Sequence, residues 1–215
     1  INKYCKKLKI EWFTSVWDVP SLKFMMKYKP KFHKVASSMI TNKELLENIA
    51  KTKIKTFVST GMSSMTEIDN AIKIFKKYKC PIIPMHSVSI YPCPLEKLNL
   101  KMISTLKSKY KCSVGYSGHE MNVTPSVQAA TLGADYIERH ITTDRALWGT
   151  DQAASLGPDG IKLLRNLVDK VVLAEGDGKK KIQPSEYYVI NSQRKCLYSG
   201  KNIPKGSILK KSDIE

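Results

Sequence analysis

An α/β fold built on a parallel sheet is predicted by three features of this 215-residue chain. A short apolar run ending in small or polar residues recurs six times, at 12–16, 34–37, 56–61, 81–87, 113–118 and 135–142. Polar, helix-like stretches separate the runs at the spacing of βα units. No hairpin signal joins neighbouring runs, so the strands should run parallel with right-handed crossovers. Two architectures satisfy these conditions, a barrel and a doubly wound open sheet. No G-x-G-x-x-G or P-loop follows any of the strands.

Taken in order, the stretch 41–50 opens with a Thr-x-x-Glu capping box (Thr41, Glu44) and predicts a helix. The stretch 64–79 repeats apolar residues at Met65, Ile68, Ile72 and Phe75, which marks one face of a second helix. After Gly157-Pro158, residues 161–174 form a further amphipathic pattern that would pack outside the last strand. Six units are two short of a closed barrel. The segment 176–192 reads as a linker, with two glycines, a lysine run and Pro184 in its first part. Residues 193–215 look like the beginning of a small β-rich module, too short to fold alone. The expected organisation is therefore 1–175, 176–192 and 193–215.

A hydrophobic fraction of 42% is enough to bury a core. No apolar run reaches the roughly 18 residues of a membrane span, and INKYCKKLKI lacks a signal-peptide core, so a cytoplasmic protein is expected. Five scattered cysteines without a CxxC argue for reduced thiols over disulfides or zinc. The net charge of +17 comes almost wholly from lysine, with arginine only at Arg139, Arg145, Arg165 and Arg194. Phosphate and base readers favour arginine forks, so a solvated lysine face is preferred to a nucleic-acid surface. The chain opens on Ile1 and stops at KKSDIE, and both ends read as cut.

Chemistry collects at the strand ends, in Ser37, Ser59-Thr60-Gly61, His86-Ser87, Ser117-Gly118-His119 and Glu138-Arg139-His140. A barrel would bring all of them to one face, whereas an open sheet would concentrate them near a switch point. His119 and His140 occupy matching ends of adjacent strands, where two imidazoles can hold a divalent metal and leave positions for substrate and water. His86 is either a third ligand or an orienting group, and His33 has no special context. Lys34, Ser37, Ser59 and Ser117 can offer an anion an ammonium and hydroxyls, although the serines also suit tight βα turns. Asp151 is either a proton acceptor or sugar contact, or a solvated loop residue. Strand alternation sends Arg139 to the face opposite Glu138 and His140. Tyr91 can stack on a ring or simply pack.

The stretches HKVASS, FVSTGMSS, HSVSIYPCP, VGYSGHE, LGADYIERHIT, DRALWGTDQAASL and SGKNIPKGSIL resemble, in order and spacing, the sialic acid synthase family. These enzymes condense phosphoenolpyruvate with an N-acylated hexose to make nonulosonic acids. GYSGHE followed by IERHIT and GTDQAAS is specific in combination. The resemblance implies a (β/α)8 TIM barrel without its first two strands, followed by the start of an antifreeze-like (SAF) domain. It further implies His119 and His140 as ligands to manganese or magnesium, with Lys34, Ser37, Ser59 and Ser117 on phosphoenolpyruvate. Ser89 and Tyr91 would line the sugar site and Asp151 would contact the acceptor. The family also implies a homodimer formed by domain exchange.

Two departures qualify the resemblance. Met39 stands where many relatives carry a glutamate shortly after the lysine-bearing strand. The family's first two strands and the arginine of its antifreeze-like domain have no counterpart here, so this fragment alone is expected to be inactive although the intact gene product should be an enzyme. The sequence does not choose among N-acetylmannosamine, its 6-phosphate and bacillosamine-type acceptors. Two other readings are another metal-dependent barrel enzyme acting aldolase-like on phosphorylated sugars, and a basic nucleic-acid-binding protein.

Overall fold

The computed structural model describes residues 1–215. Alternating apolar runs and amphipathic stretches give, in order, α1 (Asn2–Leu8), α2 (Val19–Met26), β1 (His33–Val35), α3 (Lys43–Lys51), β2 (Thr56–Ser59) and α4 (Met65–Lys77). They continue as β3 (Ile82–Ser87), α5 (Met102–Tyr110), β4 (Gly115–Gly118), α6 (Thr124–Thr131), β5 (Tyr136–Arg139) and α7 (Pro158–Glu175). All strand pairs are parallel, and each strand lies beside its predecessor in the order β1-β2-β3-β4-β5. A doubly wound sheet would reverse that order at a switch point. The sheet is thus a five-stranded half-barrel, consistent with a truncated TIM barrel.

One expected strand is not formed. The run 12–16 contributes a single parallel bridge, Ser15 to Lys34. At the sheet edge it has a ladder partner on one side only, and its main contribution is Phe13, stacked on Phe57 with ring centroids 5.7 Å apart. The start of α3 also shifts by one residue. Asn42 rather than Thr41 is the N-cap, its side chain accepting from the Leu45 N–H at 3.1 Å, because asparagine caps at least as well as threonine. At α4 the Ser64 hydroxyl accepts from the Glu67 N–H at 3.3 Å while the Glu67 carboxylate accepts from the Ser64 N–H at 2.7 Å.

Two apolar layers hold the sheet. On the helix side, Val35, Val58 and Tyr116 pack with Leu45, Ile49, Ile72, Phe75, Ile103 and Leu106 from the surrounding helices. On the concave side, Phe57, Ile83 and Met85 pack with Phe13, Phe32 and Tyr136. Complete burial of leucine- or phenylalanine-sized side chains stabilises by about 1.5–3 kcal/mol each, so these layers fix the strands that carry the rim residues.

The chain folds as two compact units, Ile1–Glu175 and Gly176–Glu215. In the second unit, part of the segment expected as a linker forms α8 (Glu186–Gln193). Tyr198 and Glu215 exchange backbone hydrogen bonds at 3.0 and 2.8 Å, and Ser199 makes an antiparallel bridge to Ile214. The Lys201 ammonium pairs with the buried Asp213 carboxylate at 2.6 Å. No helix is long and apolar enough to cross a membrane.

Two buried histidines tie stability to pH. Burial holds both His33 and His86 below the ordinary histidine value of 6.5. Their neutral forms fold, whereas the unfolded chain protonates first on acidification. Their contribution is therefore complete above pH 6.5 and is lost as pH falls toward their lowered folded values. The midpoint of urea unfolding should be level between pH 7 and 8 and should drop below about 6.5, and His86→Gln should flatten the drop.

Candidate active site

Parallel pairing puts all strand C-termini on one rim and keeps registered neighbours on a common face. The concave row Phe57–Ile83 continues to Lys34 on β1, and two residues further up Ser59 registers with Met85 and Gly115. The next row is Ser87, Ser117 and Glu138. His119 and His140 follow Ser117 and Glu138 by two residues and so rise on the same face. The result is a cavity of about 490 Å³, with Lys34, Ser59, Ser87, Ser117 and Glu138 below and His119, His140, Ser89, Tyr91 and Ser37 around it. A larger cavity, about 710 Å³, lies on the helix side between β5 and α7. Its lining is mostly apolar and includes none of the rim histidines, so the smaller cavity is the one with chemical capacity.

The cavity floor is a charge-balanced network. Lys34 Nζ donates to Ser59 Oγ and lies 3.4 Å from Glu138 Oε1, which also accepts from Ser117 Oγ at 2.8 Å. Burial pulls the Lys34 pKa down and the Glu138 carboxylate opposes that shift. Ser37 Oγ accepts from the Gly61 N–H at 3.1 Å. A Cβ at Gly61 would collide with the hydroxyls of Ser37 and Ser89, so a bare backbone is required where these two strand ends converge.

The two histidine rings stand 5.3 Å apart between centroids, tilted by 55°. His119 Nδ1 meets the Val88 carbonyl oxygen at 2.7 Å. A carbonyl only accepts, so Nδ1 carries the proton and Nε2 keeps its lone pair. Burial lowers the His119 pKa, partly opposed by that hydrogen bond, and favours the neutral imidazole. His140 Nδ1 lies 3.6 Å from Asp151 Oδ2. Tyr91 closes the group, its ring 4.1 Å from His119 and 5.7 Å, edge-on, from His140. No cluster of three or more His, Cys, Asp or Glu side chains is assembled. Two neutral imidazoles can at most supply two of a divalent ion's positions, the remainder falling to water or other oxygen ligands.

The first 180 residues match the family model described as the NeuB family. This chain belongs to the NeuB family. It is 36% identical to the N,N'-diacetyllegionaminic acid synthase of Campylobacter jejuni over 98% of its own length and 64% of that protein. It is 32% identical to the N-acetylneuraminate-9-phosphate synthase of Homo sapiens, over 97% of this chain and 58% of the human one. The chain thus spans less than two thirds of either of these relatives. The crystal structure of N-acetylneuraminic acid (sialic acid) synthetase from Leptospira borgpetersenii serovar Hardjo-bovis in complex with citrate superposes with a TM-score of 0.83 and 36% identity. That match covers 89% of this chain and 67% of the synthetase.

Among the residues singled out in this NeuB-family sequence, Lys34, Ser37, Ser59, Ser89, Tyr91, Ser117, His119 and His140 share the one cavity. Asp151 is outside its lining and reaches it through His140. His86 has the opposite strand parity. It is buried, with Nε2 2.7 Å from the Leu98 carbonyl oxygen, and serves the helix-side packing rather than the rim. Met39 is half-buried against the helix-side core and does not face the cavity. The carboxylate that does line the cavity is Glu138, whose inward position period-two alternation fixes. Ser87 is likewise inward, and its buried hydroxyl has no hydrogen-bond partner. Ser15 and Trp17 also line the cavity, from the edge segment that makes only one bridge.

The unpaired Ser87 hydroxyl carries a desolvation penalty in the free protein. Ser87→Ala should therefore unfold within about 0.5 kcal/mol of the parent, or above it, in urea titration, unlike the usual destabilising core truncation.

Proposed function

We propose that the intact protein condenses phosphoenolpyruvate with an N-acylated hexosamine to form a nonulosonic acid and inorganic phosphate. The observation that carries this reading is the pairing of His119 and His140 above a floor that offers the Lys34 ammonium beside Ser59 and Ser117. The floor suits an anion carrying phosphate and carboxylate, and the rim suits the carbonyl oxygen of an aldehyde. The synthase names of the relatives support the same chemistry.

In this reading Lys34 and the hydroxyls of Ser37, Ser59 and Ser117 hold phosphoenolpyruvate with its C3 carbon facing the open-chain sugar aldehyde. His119 and His140 hold a divalent ion, manganese or magnesium, which when bound polarises that aldehyde and orients water. The C3–C1 bond forms as the aldehyde oxygen takes a proton. Water adds at C2, and the resulting tetrahedral carbon expels phosphate with cleavage of the C2–O bond. Glu138, linked to both Lys34 and Ser117, is the cavity carboxylate available to exchange the water proton, the capacity absent at Met39. Ser89 and Tyr91 line the acceptor sugar and Asp151 orients His140 and a sugar hydroxyl.

Three further features belong to the same reading. Residues 193–215 are the opening of an antifreeze-like (SAF) domain, and the intact protein is a homodimer formed by domain exchange. Five unpaired cysteines suit a reducing, cytoplasmic setting.

The intact protein should release phosphate from phosphoenolpyruvate only when both manganese and an N-acylmannosamine-type sugar are present, measured by a coupled phosphate assay. Release without sugar, or none with any acceptor tried, sinks the reading. Lys34→Ala should weaken phosphoenolpyruvate binding by at least ~10-fold, since a charge-assisted contact contributes about 1.5–3 kcal/mol. His119→Ala and His140→Ala should each remove stoichiometric manganese, measured by equilibrium dialysis, and a double variant that retains it rules out the ligand pair.

A further inference from the structure

Directly behind the rim, on the face of the sheet away from the cavity, lies a buried ion pair that the chemistry above does not use. Glu120 follows His119 and Arg139 precedes His140. Their side chains are 0% and 3% exposed, and Arg139 Nη1 donates to Glu120 Oε1 at 2.8 Å. Glu120 also accepts from Ser126 Oγ at 2.9 Å and from the Tyr116 hydroxyl at 2.8 Å. The Arg139 fork then reaches three backbone carbonyls. Nη1 donates to Asn122 at 2.9 Å, and Nη2 donates to Glu120 and, at 3.4 Å, to Ala154. Gly118 makes room for this arrangement, because a Cβ there would press on both the Glu120 carboxylate and the Tyr116 ring.

We infer that Arg139 and Glu120 form a positioning unit that fixes His119, His140 and the Asp151 loop relative to one another; the metal part of this role presupposes that the two histidines hold the ion. The need for such a unit follows from where the ladder ends. β4 and β5 pair last at Gly118 and Arg139, so each histidine sits one residue past the sheet's own hydrogen bonds. Beyond that point each histidine backbone has one outside tether. The His119 carbonyl accepts from the Cys93 N–H at 3.0 Å and the His140 carbonyl from the Leu156 N–H at 2.8 Å. Arg139 donates the side-chain hydrogen bond that ties the two strand extensions together. Through Ala154 it also grips the turn in which the Asp151 carbonyl accepts from the Ala154 N–H at 3.1 Å and the Ser155 hydroxyl at 2.8 Å.

Burial of two charges is a poor way to gain stability, since well-packed apolar residues of similar volume often do as well or better. What the pair supplies instead is a fixed geometry. Lysine could not reproduce it, because one ammonium cannot span the carboxylate and the separate carbonyls that the planar fork reaches together.

The test uses the intact protein with the volume-matched double variant Arg139→Met/Glu120→Leu, alongside Arg139→Lys as the milder change. Two readouts are taken: imidazole ¹⁵N spectra of the metal-free protein, and manganese affinity by calorimetry, with thermal melts as the fold control. The double variant should melt cooperatively yet lose the fixed His119 tautomer, and its manganese affinity should fall by about 10–100-fold, as for other groups that orient ligands. Arg139→Lys should move both readouts in the same direction by less. If either variant stays folded and keeps both the parent histidine signals and the parent affinity, the pair is only structural and the inference is overturned. Should the double variant fail to fold, Arg139→Lys decides by the same criterion. If the parent itself binds no manganese, the metal reading falls, while the histidine signals still decide the positioning role.

Discussion

The polar floor of this half-barrel is placed by one constraint, the period-two alternation of side chains on parallel strands held in register. Because Phe57 and Met85 must lie on the concave side to pack with Phe13 and Tyr136, Lys34, Ser59, Ser87, Ser117 and Glu138 have no choice of face. A slip of one residue on any strand would exchange its cavity group for a core group. On β5 it would turn Glu138 into the helix layer and bring Arg139 over the lysine. The apolar belt below the rim therefore does more than stabilise: it aims the polar row above it.

That row is nearly neutral in sum, despite the strongly cationic surface around it. Lys34 and Glu138 offset one another across 3.4 Å, Ser59 accepts from the lysine, Ser117 donates to the glutamate, and His119 is held uncharged by burial. An anion entering the cavity meets an ammonium that is largely desolvated, where its attraction is less screened than on the surface. The same burial lowers the Lys34 pKa, and the carboxylate of Glu138 opposes that shift. The lysines elsewhere on the chain, exposed except for the half-buried Lys107 that pairs with Asp135, contribute to the long-range field.

Much of the fold and part of the site could be read from residues alone. Runs bounded by small polar residues marked the five strands, and the matched positions of His119 and His140 placed them on one rim. Alternation puts Arg139 opposite Glu138 and His140, and there its side chain, 3% exposed, pairs with Glu120. The edge segment 12–16 reads as a strand yet forms only one bridge, because apolar composition reports burial of Phe13, not whether a ladder partner exists on both sides. His86 was ambiguous because a strand-end histidine has the same spelling whether its ring points to the rim or to a carbonyl on the helix side. Glu138 was legible by parity, whereas the partnering of Glu120 was not, since it depends on Ser126 and Tyr116 from different elements meeting one carboxylate.

The rim and the sheet beneath it are held by different kinds of interaction. Up to Gly118 and Arg139, backbone ladders and apolar layers fix each strand through many individually weak contacts, so no single side chain is decisive. One residue later the ladder has stopped, and position depends on a few directional bonds. Directional bonds between buried charges are strong only when every partner is present, and they fail together when one is removed. The rim is therefore more exact in geometry and more fragile to substitution than the barrel core. That combination suits two imidazoles that, in the proposed reading, share one ion, since there a displacement of a fraction of an ångström changes the ligand geometry.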